Sequence, residues 1–113
     1  MDTNKMRANA RKNYEALLKL DVASIVAQGR EAAAKKDWNL AASFLATLAY
    51  PSLPVYANNR KLAWQYARNH MRYGQSFDDA CHSTIKLKAV HEYVSQFINP
   101  PSWLNSNKEN KDE

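Results

Sequence analysis

Helix-breaking residues fall at few places in this 113-residue chain, and their spacing is the strongest constraint on its fold. Pro51 and Pro54 interrupt it near the middle, Gly74 follows well downstream, and Pro100 with Pro101 stands near the end; only Gly29 lies apart. Between these points Ala is abundant and β-branched runs are absent, which favours helix over strand. The length allows one domain with a real core. Residues 1–104 form that domain, and residues 105–113, polar and mixed in charge, read as a disordered tail. The expected architecture is an all-α compact bundle of about five helices.

The first segment runs from about Thr3 to Leu20, with Met6, Ala10, Tyr14, Leu17 and Leu18 as its apolar stripe. Asp21 caps a second, in which Val22, Ile25, Val26, Gly29, Ala32 and Ala33 recur at helical spacing and Gly29 marks a close crossing. Asp37 caps a third, Trp38 to Tyr50, which is apolar nearly all round and so belongs in the middle of the bundle. This stretch resembles the second half of a tetratricopeptide unit, but no repeat occurs at the expected period and an ordinary helical hairpin explains it equally well. Pro54 suits the first turn of a fourth helix that reaches Gln75, and Gly74 suits its C-terminal cap. Ser76 to Asp79 has the form of a capping box, and the last helix extends from Phe77 to about Ile98, ended by Asn99-Pro100-Pro101.

Chemistry is hard to assemble from these residues. The single cysteine, Cys81, excludes an intramolecular disulfide and suits a reducing compartment. Cys81, His82 and His91 lack the paired spacing of a zinc set, and His91 falls in an apolar stripe as a core histidine would. Asp78 and Asp79 are accounted for as first-turn acids, and the isolated Gly29 and Gly74 build no phosphate-cradling loop. The expectation is a non-catalytic protein without metal or cofactor. No apolar run is long enough to span a bilayer and the first residues carry no hydrophobic signal core, which predicts a cytoplasmic protein with no membrane partner.

The charge is more telling. Residues 1–104 hold fourteen Lys and Arg against eight Asp and Glu, so the folded part is more basic than the total of +5 and phosphate-rich partners come first. The stretch Leu53 to Gln75 organises that charge. As a helix it gathers Val55, Leu62, Ala63, Tyr66, Ala67, His70 and Tyr73 on a packed face and sets Lys61, Arg68 and Arg72 opposite, with Trp64 and Met71 at the border. Arg60, Lys61, Arg68 and Arg72 recur on the scale of successive phosphates, Trp64 offers a stacking ring among them, and Lys86, Lys88, Arg7, Arg11 and Lys12 extend the surface. Single-stranded DNA or RNA, bound without sequence preference, is the expected ligand.

In its helical segments, single-domain length and basic face of Arg60, Lys61, Arg68 and Arg72, the chain resembles the small helical subunit of multisubunit CRISPR effector complexes. The resemblance implies that these four residues contact a DNA strand backbone, and that the bundle sides contact identical copies and a large subunit. Two other functions fit the residues. Trp103 and Leu104, in Pro100-Pro101-Ser102-Trp103-Leu104, are an anchor for a protein partner as readily as a cap on the core, which suits an adaptor or a phage or plasmid inhibitor. Asn58 and Asn59 beside Arg60 suit a helix-turn-helix regulator, although a proline-bounded linker replaces the tight turn.

Overall fold

A computed structural model describes residues 2–104, with side chains from residue 8 onward. The tail expected to be disordered, 105–113, lies outside the described residues, as do the side chains of Met6 and Arg7. All regular structure among the described residues is helical: α1 (Asp2–Leu18), α2 (Val22–Ala34), α3 (Trp38–Ala49), α4 (Asn58–Arg72), α5 (Phe77–Thr84) and α6 (Lys88–Ser95), followed by one helical turn at 102–104. None of the described helices is long and apolar enough to cross a membrane.

Three boundaries follow the sequence closely. Asp21 Oδ1 accepts from the Ser24 amide and Asp37 Oδ1 from that of Leu40, so each carboxylate caps the helix it precedes. Gly74 takes φ +118° beyond the end of α4, where the Gly74 and Gln75 amides donate back to the Met71 and His70 carbonyls. Ser76 Oγ then accepts from the Asp79 amide to start α5.

Helix α3 is the centre of the bundle. Ala41, Ala42, Leu45, Ala46, Leu48 and Ala49 are all buried, and the helix packs against α2, α4, α5 and α6. Leu17, Val26, Met71, Phe77, Val90 and Val94 close the core around it, while α1 docks chiefly on α6. Leu18, expected in the α1 stripe, is exposed.

The last segment is two helices rather than one. Its two halves bury different sides: at about 100° per residue, Phe77, Ala80, Cys81 and Thr84 lie roughly a third of a turn from Val90 and Val94. One straight helix cannot turn both sets inward. The chain breaks instead at Ile85 and Leu87, both extended, and Ile85 drops into the core at the break.

The fourth helix is shorter than expected. Residues 51–57 form turns, with the Ala57 amide donating to the Pro54 carbonyl, so Pro54 precedes the helix instead of opening it and Val55 is exposed. Its packed face is also rotated. Ala63, Ala67 and Met71 are buried, whereas Leu62 is 54%, Tyr66 43% and Tyr73 83% exposed. The cause is the alanine-rich surface of α3: small residues facing small residues let two helices approach closely, which displaces the bulky side chains to the flank.

An ion pair between a buried carboxylate and a half-exposed guanidinium ties the far side together. Arg30 donates from Nε and Nη2 to the two Asp78 oxygens at 2.9 and 2.7 Å, joining α2 to α5, and Asp78 Oδ2 also accepts the Asn99 amide at 2.8 Å. Burial works to raise the Asp78 pKa, but the Arg30 and Asn99 bonds and the nearby Arg30 and His82 charges together hold it below the usual carboxylate value. Asp79 does not reach back to its own helix start; its carboxylate binds the Ser102 amide and hydroxyl at 2.9 and 2.6 Å. Both acids therefore anchor other segments rather than acting as plain first-turn charges.

Candidate nucleic-acid interface

From Trp38 to Phe77 the chain holds forty residues without one Asp or Glu. Helix α4 sits inside that span, and the order of residues around it gives the surface its character. With Ala63, Ala67 and Met71 inward, the outward arc reads Arg68, Lys61 and Arg72 along the α3 edge, then Gln65, Asn58 and Asn69, then Leu62, Tyr73 and Tyr66 toward α5. Cations, amides and aromatic rings thus share one acid-free helix face. The tyrosines belong to it because the packed face is rotated, which the apolar periodicity did not reveal.

The cations differ in what holds them. Arg60 is turned into the fold: Nη1 donates to the Leu53 carbonyl, Nη2 donates to Thr47 Oγ1 at 2.7 Å, and burial lowers its pKa. Its charge fixes the 51–57 loop to α3 and is spent internally. Arg68 Nε donates to Asn39 Oδ1 at 2.6 Å, and the guanidinium carbon stands 5.7 Å from the centre of the Trp64 ring. This fixes the orientation of the guanidinium while leaving both Nη groups without a partner among the described residues. Trp64 is half-buried, and its indole N–H is shared between the Asn39 carbonyl and Ser43 Oγ at 3.1 and 3.2 Å. It therefore acts as a wedge between α3 and α4 and a platform for Arg68. Lys61 and Arg72 are exposed.

Arg68 and Arg72 meet a third cation that the sequence did not single out. Lys36, in the α2–α3 turn, lines with them a cleft of about 380 Å³ whose other walls are Asp37, Trp38 and Asn39. Lys36 holds the left-handed conformation, φ +62°, which for a residue with a Cβ is strained. Asp37, the one acid in the cleft, is engaged as the cap of α3. Three cations against one occupied carboxylate attract an anion.

The remaining candidates scatter. Lys86 reaches over the Tyr66 ring, its Nζ 5.5 Å from the ring centre, and so joins the α4 surface from the α5–α6 break. Lys88 is exposed at the start of α6. Arg11 and Lys12 are exposed on α1 and line neither the Lys36–Arg68–Arg72 cleft nor the clefts flanking α4, and Arg7 lies outside the described side chains. Trp103 and Leu104 are about half exposed on the terminal turn that Asp79 holds.

The histidines form a pair that the two-helix break creates. His82 Nδ1 and His91 Nε2 lie 2.9 Å apart, and His82 Nε2 is 2.7 Å from the Asn99 carbonyl. A carbonyl only accepts, so His82 Nε2 carries hydrogen and, when both rings are neutral, His91 donates to His82. Burial, then the proximity of His82, lowers the His91 pKa despite the opposing charge of Glu92. His70, expected on the packed face of α4, lies against Tyr66 of its own helix, with ring centres 4.1 Å apart and ring planes tilted by 59°. Cys81 is fully buried and its thiol pKa is raised by that burial. Among the described residues no three His, Cys, Asp or Glu side chains group as a metal site does. No family model, characterised protein or solved structure matches the chain.

Proposed function

We propose that this chain is a non-catalytic, basic helical subunit that contacts the backbone of a single-stranded nucleic acid without sequence preference, inside a larger cytoplasmic nucleoprotein complex such as a CRISPR effector. The observation that carries this reading is the acid-free outward face of α4, with Lys61, Arg68 and Arg72 on one edge and tyrosine rings on the other. Cations follow the phosphates of a strand, and exposed rings stack on bases of any identity. A helix with neither acids nor a packed partner on its solvent side is a costly surface for a protein that only needs to stay in solution, because mixed charges serve that purpose better.

Fluorescence-anisotropy titration against labelled single strands and duplexes at two salt concentrations tests the reading. The informative variant is Lys61→Ala with Arg72→Ala, since both side chains are exposed and neither is tied to α3, unlike Arg68. Loss of two phosphate contacts should reduce the salt slope by roughly 1.4 for a single strand. Absence of binding at low salt, or an unchanged slope in the variant, removes α4 from any nucleic-acid site. The half-exposed Trp103 and Leu104, held in place by Asp79, then favour the second reading, a module that docks on another protein.

A further inference from the structure

We propose that the cleft between α4 and the α5–α6 break receives one nucleobase of the bound strand, an inference that rests on the single-strand reading above. The cleft is about 200 Å³, a size for one small ring system rather than a drug-sized ligand. Leu62, Ala63 and Tyr66 of α4 line it with Thr84 from the end of α5 and Tyr50 from the end of α3, together with Asn59 and Lys86. Every residue lining it is neutral or cationic.

Thr84 decides what kind of occupant fits. The residue is 3% exposed and its Oγ1 is buried with no hydrogen-bond partner among the described residues. A hydroxyl so placed is costly unless something in the cleft satisfies it, and a purely hydrocarbon occupant would leave it unpaired. Once the side chain turns toward the cleft a water would satisfy it but would not cover Leu62 and Tyr66, which remain 54% and 43% exposed on the same cleft. A nucleobase meets both requirements: its faces are apolar enough to pack on Leu62 and on the part of Tyr66 that His70 and Lys86 leave exposed, and its edge carries donors and acceptors for the Thr84 hydroxyl, reached by rotation about the Thr84 Cα–Cβ bond. Lys86, already over the Tyr66 ring, stands ready for the phosphate of the same nucleotide, and the Asn59 amide supplies a second edge contact. The cation edge of α4 then tracks the backbone while this cleft takes a base from it.

The test is titration of the full chain at low salt with a labelled oligothymidylate and with an abasic deoxyribose-phosphate strand of equal length. The base-bearing strand should bind about tenfold more tightly or better, the scale of one stacked base. Tyr66→Ala should bring that ratio close to one while leaving abasic affinity nearly unchanged. Thr84→Val keeps the shape and removes the hydroxyl; it should reduce the ratio several-fold and raise the melting temperature, because it removes a buried unpaired group. Equal binding of the two strands by the wild type overturns the base cleft and leaves backbone contact standing. Binding of neither strand overturns both. A full ratio surviving in both variants places the base elsewhere and likewise overturns the inference.

Discussion

Replacing Gly29 by alanine should destabilise this protein, although in an exposed helix interior the same change stabilises by about 1 kcal/mol. Gly29 is buried on α2, and a Cβ there would fall inside contact distance of Cε1 and Cζ of Phe77, the first residue of α5. Phe77 is 3% exposed, and the adjoining residues, Arg30 and Asp78, are joined by two hydrogen bonds that clamp the same two helices. Overpacking of a core costs about 1–3 kcal/mol, and a contact with so deeply buried a ring belongs at the upper end. Less the gain in helix propensity, the net loss is about 2 kcal/mol, which for a domain of this length lowers the melting temperature by roughly 8 °C. Thermal and urea unfolding followed by circular dichroism measure it. Adding Phe77→Leu to Gly29→Ala should recover part of the loss, because the two substitutions are coupled through one contact. A melting temperature unchanged or raised by Gly29→Ala alone would refute the close crossing of α2 and α5.

Two other outcomes follow from the charged groups. The His91 pKa in the folded protein lies below 6.5, so the unfolded chain takes up the proton first; stability is fully present above about pH 6.5 and is lost as pH falls through the folded His91 value. Urea midpoints should therefore fall between pH 7 and pH 5, and His91→Gln should flatten that step. The stability from Asp78 persists until pH drops below 3.8. Lys36→Gly relieves a left-handed side chain and should stabilise by about 1 kcal/mol in urea unfolding. The same variant removes a cation from the cleft it shares with Arg68 and Arg72, so it should also reduce the salt slope of strand binding by about 0.7. A variant both more stable and unchanged in binding would separate Lys36 from the site.

Capping chemistry was legible in the sequence because it is local. Asp21, Asp37, Gly74 and Ser76 act on backbone groups within a few residues, and each ends or starts a helix where its chemistry requires. The apolar density of α3 was legible for a similar reason, since a helix without a polar side has nowhere to go but the centre. The facing of α4 was not. Its sequence offers two apolar arcs, Leu62–Tyr66–Tyr73 and Ala63–Ala67–Met71, and hydrophobicity favours the first. Closeness of approach favours the second, and that depends on the alanines of a different helix. Arg60 shows the same limit: nothing in its neighbours along the chain tells that its guanidinium closes onto Leu53 and Thr47.

The break at Ile85–Leu87 escapes the apolar periodicity for a related reason, and it builds the surface on this side of the molecule. Within Phe77 to Ile98 the spacing satisfied a single helix, yet it hid two stripes that a straight rod cannot bury together. Breaking the helix exposes no apolar residue at the joint, since Ile85 is buried there, and it has three consequences at once. It folds His91 back onto His82, leaves the Thr84 hydroxyl at the end of α5 without a hydrogen-bond partner among the described residues, and sends Lys86 out over Tyr66. A continuous helix would space His82 and His91 nine residues apart, about 13 Å along the axis, and would form neither the pair nor the cleft. The residues with chemistry to spare on this side of the molecule are thus gathered by a local break that costs helical hydrogen bonds, and a substitution that straightened the joint would remove them together.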